Sequence, residues 1–147
     1  QVIQAETPPH VTGTMAFESG AIGTIIMSFD AFGGAKVPFI EVYGSEGTLS
    51  VPDPNTFGGP VRIRRKDEKE FVEVPVTHGF TDNSRGIGLS DMAVAIRTGR
   101  PHRTSGELGY HVLEAMHGFH IASEQKRHYE MQSTCRIPEP MPMDWTV

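Results

Sequence analysis

The sequence predicts an α+β fold, with an open-faced, mainly antiparallel sheet of about six strands and helices packed on one face. Two observations favour this class. Polar and apolar residues alternate in short runs as far as Val76, and after Ser84 the apolar residues recur at spacings of three and four. Strands that precede helices in this way indicate an antiparallel sheet rather than a parallel α/β sheet. The length of 147 residues suits one domain, which we expect to span residues 1–147.

Three hairpins account for the six expected strands. In the first hairpin, Gly20 supplies the positive φ that a tight turn requires. The paired strands are expected at 11–18 and 21–29, at 39–43 and 48–51, and at 61–66 and 70–76. A final short strand from His128 to Gln132 would add an edge to the sheet.

Two amphipathic helices are expected after the strands. The first ends at the stop signals Gly99 and Pro101. Its apolar stripe is formed by Leu89, Met92 (or Ala93) and Ile96. The second begins with the capping-box spacing of Thr104 and Glu107 and runs to about Arg127. Its apolar stripe is formed by Leu108, Val112, Ala115, Phe119 and Ala122.

Composition narrows the classes of function. A formal net charge of -5 offers no basic surface for a phosphate backbone, so we expect no nucleic-acid partner. Apolar runs such as 25–27 are far shorter than the ~20 residues that span a bilayer, so we expect no membrane partner. The single cysteine, Cys135, fits a cytoplasmic location. The first residue is Gln1, and we expect the chain to be a piece of a longer protein.

Two helices can cover only one face of a six-stranded sheet, so the other face needs a partner. Its residues are polar and apolar in mixture, which is typical of a protein interface rather than of a lipid surface. They include Thr12, Thr14, Thr24, Ser28 and Ser50. We expect a homo-oligomer that forms through this open sheet face.

Neither a nucleotide site nor a metal site is expected in this chain. The run from Gly86 to Asp91 begins like a dinucleotide fingerprint, but it has Asp in place of the third glycine and follows a polar loop. Residues Glu114 and His117 match one Glu-x-x-His element, whereas a di-iron site needs two. A zinc site on His117 and His120 lacks a third ligand, and we interpret the helix edge that they share with His111 as solvated or as facing an interface.

Candidate substrate contacts fall at a strand end and in one loop. Asp30 ends the second strand and is either a carboxylate beside a cleft or the cap of the turn that follows. The loop before the first helix combines an imidazole, an aromatic ring, an amide and a guanidinium, which suit hydrogen bonding and stacking on a hydroxylated substrate. These side chains are His78, Phe80, Asn83 and Arg85. Asn83 is also explained as a turn or cap residue.

The order of these elements resembles the C-terminal domain of the Gfo/Idh/MocA family of oxidoreductases. The resemblance is carried by Arg85–Arg103 (RGIGLSDMAVAIRTGRPHR), Ser105–Glu114 (SGELGYHVLE), Glu41–Ser50 (EVYGSEGTLS) and the hairpin from Thr14 to Ser28, and it covers roughly Pro8 to Pro142. It implies a substrate-binding and oligomerisation domain that follows an N-terminal Rossmann domain. Such an enzyme transfers a hydride between NAD or NADP and a sugar, a polyol or a related hydroxy or keto compound.

The resemblance also implies what this chain lacks. The Glu-Lys-Pro that carries the family's lysine is missing, because Glu68-Lys69-Glu70 lies in a hairpin, and the chain begins after the helix that carries the family's Asp and His pair. No catalytic and no cofactor-binding residue is therefore carried over, and the fragment alone is expected to be inactive and to bind no cofactor. The family's pocket wall corresponds to 78–85. The alternative is a free-standing, non-catalytic binding or assembly module with the same fold.

Overall fold

A computed structural model describes residues 4–33, 37–82 and 84–145. It confirms the α+β class, with six antiparallel strands and two helices. The strands are β1 (His10–Ala16), β2 (Ile22–Ser28), β3 (Ile40–Gly44), β4 (Gly47–Val51), β5 (Val61–Arg65) and β6 (Val72–Val74), and the helices are α1 (Ile87–Thr98) and α2 (Gly106–Gln125). The strands form a two-stranded sheet, β1-β2, and a four-stranded sheet, β3-β4-β5-β6.

The chain divides into two compact units. The first comprises Gln1–Ala35 and Ser105–Arg136, and therefore contains β1, β2 and α2. The second comprises Lys36–Thr104 and Ile137–Val147, and contains the four-stranded sheet and α1. The expected single domain over 1–147 stays a prediction.

The first unit is a hairpin packed on a helix. Gly20 has the expected positive φ, 87°, and strands β1 and β2 pair from His10 opposite Ser28 to Ala16 opposite Ile22. One face of this hairpin meets α2 closely, since a Cβ on Gly13 would lie 2.6 Å from two ring carbons of Phe119. The helix can approach the strand at this point because the strand presents no side chain there.

In the second unit, the register sorts the sheet residues onto two faces. Residues that lie directly opposite each other in an antiparallel pair share a face. One face, called the aliphatic face below, has Gly44, Gly47 and Arg65 at one end and otherwise consists of Ile40, Val42, Leu49, Val51, Val61, Ile63, Val72 and Val74. The other is polar and consists of Glu41, Tyr43, Thr48, Ser50, Arg62, Arg64 and Glu73. Exposure of the aliphatic face to water is unfavourable, so this face of the sheet favours burial.

The inward face of α1 is not the one expected from its apolar stripe. Its buried residues are Asp91 and Ala95, whereas Leu89 and Ile96 are 72% and 75% exposed. The reason is electrostatic. The donors that bind the Asp91 carboxylate belong to Arg100 and Arg103, so the side of the helix that carries Asp91 faces these residues and is buried by them. The helix end at Gly99 was predicted correctly, with φ of 70° at the C-cap.

Two other predictions at α2 need correction. The N-cap is Ser105 rather than Thr104, since the Ser105 hydroxyl accepts the amide of Leu108 at 3.1 Å. Residues His128 to Gln132 are not a strand. The Glu114 carboxylate accepts hydrogen bonds from the Tyr129 hydroxyl and from the backbone amide of Gln132. These bonds hold the segment in place of strand pairing.

The chain exposes an unusually large area. Its accessible surface is 12802 Å², whereas a folded domain of this size exposes about 7,400 Å² and two domains of half the size about 8,900 Å² together. Ala95 is the one buried hydrophobic residue among those that the structure describes. Within the same residues, no helix is both long and apolar enough to cross a membrane.

Candidate functional site

Two loops of the second unit meet at Arg85. One loop joins β4 to β5 and the other joins β6 to α1. The Arg85 guanidinium donates to Asn55 Oδ1 at 2.9 Å and lies over the ring of Phe57, 5.1 Å from its centroid. Beside them, a Cβ on Gly58 would lie 3.0 Å from the carbonyl oxygen of Thr81, so the two backbones are in near contact. Asn55, Phe57 and Arg85 are called the Arg85 cluster below.

Both loops hold an aromatic residue in the left-handed backbone region. Phe57 has φ of 65° and Phe80 has φ of 69°. This conformation is uncommon for bulky residues, and where it occurs it is held by surrounding contacts and concentrates at binding sites. Phe57 ends a short 3-10 helix, Pro54–Thr56, whose N-cap Asp53 accepts the amide of Asn55 at 2.9 Å. The loop that presents the aromatic ring is therefore locally braced.

The structure describes three of the four predicted loop residues. Arg85 belongs to the cluster. Phe80 is half-buried, and the ring of His78 is exposed and bonded only to the hydroxyl of Thr77, at 2.9 Å. Asn83 lies outside the described residues. The aromatic ring beneath the Arg85 guanidinium is that of Phe57, which was not among the predicted residues.

Sequence reasoning missed Asn55 and Phe57. They lie in a segment rich in proline and glycine, 52–60, whose composition indicates only a loop. The contact that gives them a role joins residues 30 positions apart. No local signal in the sequence reports such a pairing. The presence of an aromatic residue, Phe57, in a loop-forming segment is the feature that could have suggested a binding role.

Asp30 lies in the first unit and has its own partners. Its carboxylate is 2.8 Å from His10 Nε2, and the other ring nitrogen of His10 is 2.7 Å from the hydroxyl of Ser28. These three side chains are exposed. Asp30, His10 and Ser28 therefore form a row of hydrogen-bonded side chains at the end of the β1-β2 hairpin.

The face of α2 that was weighed as a metal site is occupied by hydrogen bonds. Glu114 accepts from the Tyr129 hydroxyl at 2.9 Å, the Gln132 amide at 2.7 Å, and the amide and hydroxyl of Ser133. His111 bonds the same hydroxyl at 2.8 Å. In the described part of the chain, no group of three or more His, Cys, Asp or Glu side chains is placed to hold a metal ion.

These contacts stabilise the ionised form of Glu114. The hydroxyl of Ser133 and the amide of Gln132 stabilise its charge more than burial disfavours it, and they lower the pKa of Glu114 from 4.5 to about 2. An ionised carboxylate with this many donors orders the chain that follows α2. Its role is structural, since its oxygens have no place left for a ligand.

Asp91 plays the same role in the second unit. Arg100 donates to it at 2.7 Å, as does the backbone amide of Arg103, and the Arg103 guanidinium also binds it. Burial opposes its ionisation, but these donors prevail and lower the pKa of Asp91 from 3.8 to about 2. Arg103 also donates to the carbonyl of Glu139 at 2.8 Å, so the C-terminal segment is tied to the helix through Asp91.

Gly86 does not have the geometry of the first glycine of a dinucleotide-binding turn. Gly86, the N-cap of α1, follows a turn rather than a strand, and its φ of -77° is one that any residue adopts. A Cβ on Gly86 would meet nothing within 4 Å, so no close backbone approach requires glycine here. Comparison with protein-family models, with curated proteins and with solved structures produced no match.

Proposed function

We propose that this chain is the substrate-binding and oligomerisation domain of an oxidoreductase that transfers a hydride between NAD or NADP and a sugar, a polyol or a related hydroxy or keto compound. The Arg85 cluster is the observation that carries the proposal. Its Arg85 lies in the loop that the resemblance to Gfo/Idh/MocA oxidoreductases assigns to the pocket wall, and Asn55 and Phe57 of the β4-β5 loop contact it. In this proposal an N-terminal domain of the parent chain supplies the cofactor site, as the resemblance implies.

The cluster has the chemistry of a polyol contact. Asn55 binds one guanidinium nitrogen and the ring of Phe57 packs against the guanidinium face, so Arg85 is fixed in orientation. Its remaining N–H groups donate to hydroxyl oxygens, and a ring beside them stacks on the C–H face of a sugar. His78 and Phe80 belong to the same loop as Arg85.

The proposed partner of the sheet is a second copy of this chain. The surface that favours it is the aliphatic face of the four-stranded sheet, on which Ile40, Val42 and Val72 are 41%, 54% and 52% exposed. An open concavity at the turn end of this sheet is lined by Val42, Leu49 and Ile63 together with charged residues such as Arg65 and Lys66, and by no residue of the Arg85 cluster. Homodimer interfaces are more apolar than other interfaces, so this face suits them better than the polar face that carries Ser50.

The parent enzyme is proposed to work in the cytoplasm. Cys135 is a free thiol and is the single cysteine of the chain, so an oxidising compartment offers it no internal partner. A second candidate function is a free-standing, non-catalytic assembly module. The exposed aliphatic face supports that candidate as well. Coenzyme binding by the full-length gene product distinguishes the oxidoreductase domain from the assembly module.

Replacement of Arg85 tests the substrate site. In the full-length gene product, Arg85→Ala removes a charged hydrogen-bond donor, a loss of about 1.5–3 kcal/mol. We expect kcat/KM for the sugar or polyol to fall by about 10- to 150-fold, with the dissociation constant of the coenzyme unchanged. The measurement is steady-state kinetics with a panel of sugars, polyols and their keto forms.

Arg97→Ala is the matched control, since Arg97 is exposed on α1. It should leave kcat/KM within about twofold of the unmodified enzyme. An Arg85→Ala enzyme with unchanged kcat/KM for every substrate would contradict the assignment of this loop.

A further inference from the structure

Ser28, His10 and Asp30 form a continuous hydrogen-bonded chain on the first unit. Ser28 Oγ is 2.7 Å from His10 Nδ1, and His10 Nε2 is 2.8 Å from Asp30 Oδ1. The side chains of His10 and Asp30 are 60% and 59% exposed, so solutes reach them.

The strand register brings these residues together. His10 is the first residue of β1 and lies directly opposite Ser28, the last residue of β2. The backbone amide of Phe29 donates to the carbonyl of Pro9 at 2.9 Å, which extends the pairing by one step. Asp30 follows at the position that brings its carboxylate to the far nitrogen of the imidazole.

The direction of each hydrogen bond follows from the groups involved. A carboxylate only accepts, so His10 Nε2 carries the proton that binds Asp30. In the neutral imidazole the other nitrogen then holds a lone pair, and the Ser28 hydroxyl donates to it. The order carboxylate, imidazole, hydroxyl is the one that activates a serine nucleophile, whatever the fold.

We propose that Ser28 is a nucleophile for acyl transfer from small esters with a good leaving group, with His10 as its general base and Asp30 as the positioning residue of His10. Ser28 Oγ forms a bond to the acyl carbon and its proton passes to His10 Nδ1. The bond from the acyl carbon to the leaving oxygen breaks, and the leaving group departs as an alkoxide or phenolate. Acyl-Ser28 and protonated His10 remain. This activity is independent of the proposed oxidoreductase function.

The other serine and histidine pair of the first unit has the opposite polarity. Ser133 Oγ bonds both Glu114 and His111 Nδ1. The Ser133 hydroxyl donates its hydrogen to the Glu114 carboxylate, so its oxygen accepts a hydrogen bond from His111 Nδ1–H rather than donating one to His111. His111 is therefore no base for Ser133, and the two pairs should differ in reactivity.

Acylation with p-nitrophenyl acetate tests the proposal. A positioned general base contributes about 10²–10⁴-fold, so Ser28 should acquire acetyl at least about 100-fold faster than Ser45, an exposed serine in the β3-β4 turn. Peptide mapping by mass spectrometry after timed exposure measures both rates.

His10→Gln should reduce acetylation of Ser28 to the rate of Ser45, and Asp30→Asn should reduce it partly. Ser45→Ala should leave acetylation of Ser28 unchanged. Equal rates at Ser28 and Ser45, or a rate unaffected by His10→Gln, would overturn the proposal.

The tautomer of His10 provides a second measurement that does not depend on turnover. Nitrogen NMR of the ¹⁵N-labelled histidines should show His10 protonated on Nε2 and unprotonated on Nδ1 when neutral. Asp30→Asn should shift this balance, whereas Asp67→Asn, in the exposed turn after β5, should not. A neutral His10 that carries its proton on Nδ1 has no lone pair for the Ser28 hydroxyl, and that result would exclude the proposed base.

Discussion

Asp91 and Glu114 are the two buried acidic side chains among the described residues, and each is surrounded by donors. Each ties a distant segment to a helix: Asp91 through Arg103 to residues 139–140, and Glu114 to residues 129–133. Because both carboxylates are stabilised as anions in the folded state only, their ionisation contributes to folding stability.

Acid should lower the stability of the protein through Asp91 and Glu114. The folded-state pKa of both groups is about 2, below their ordinary values of 3.8 and 4.5. Their contribution is therefore fully present above pH 4.5 and is lost as the pH falls toward 2. Urea unfolding at a series of pH values should show the free energy of unfolding falling through this window.

Asp91→Asn should flatten that dependence and lower stability at neutral pH by about 3 kcal/mol, since it leaves two arginines without their carboxylate. Asp67→Asn, in an exposed turn, should do neither. An Asp91→Asn protein with the unmodified pH profile would show that the ion cluster does not form.

At the scale of the element, glycine sets how closely α2 approaches its neighbours. A Cβ on Gly13 would lie 2.6 Å from the Phe119 ring, and one on Gly118 would lie 2.9 Å from the Tyr129 ring. These glycines sit at contacts rather than at turns. Neither glycine has a positive φ. Glycine is required at both positions because the neighbouring ring leaves no room for a Cβ.

Gly13→Ala should therefore destabilise the protein by about 1–3 kcal/mol through overpacking. The control is Gly109→Ala in α2, where the added Cβ would have nothing within 4 Å, and it should be neutral or stabilise by up to about 1 kcal/mol. Chemical denaturation measures both. If Phe119→Leu in the same chain relieves the Gly13→Ala defect, the contact is the cause; equal losses at Gly13 and Gly109 would refute the packing described for α2.

What the sequence predicts well is local. The turn at Gly20, the helix end at Gly99 and the three hairpins follow from glycine conformation and from alternation over a few residues. Long-range pairing decides the remainder. The inward face of α1 depends on arginines 9 and 12 residues beyond Asp91, and the Arg85 cluster depends on a contact across 30 residues. An apolar stripe carries no information about either pairing.

For the whole molecule, the large exposed area supports the proposal that the chain assembles with a second copy. The area of 12802 Å² exceeds what even two separate folded units of half the size would expose, about 8,900 Å². The aliphatic face of the four-stranded sheet is part of that excess, and burial of apolar area drives association by about 25 cal/mol per Å².

Val42→Lys should weaken assembly of the full-length protein, because it puts a charge in the proposed interface at a residue that is already half exposed. Sedimentation velocity should show a shift toward the monomer. Thr48→Lys, on the polar face of the same sheet, should leave the oligomer intact. A Val42→Lys protein that keeps its oligomeric state would move the interface elsewhere.

Coenzyme binding by the full-length gene product tests the assignment to an oxidoreductase most directly. Titration with NADH and NADPH, followed by coenzyme fluorescence, should show that the full-length protein binds at least one of them and that the 147-residue chain binds neither. Reactivity of Ser28 has no bearing on this result, so the two proposals fail separately. A full-length protein that binds neither coenzyme would contradict the account and favour a free-standing assembly module.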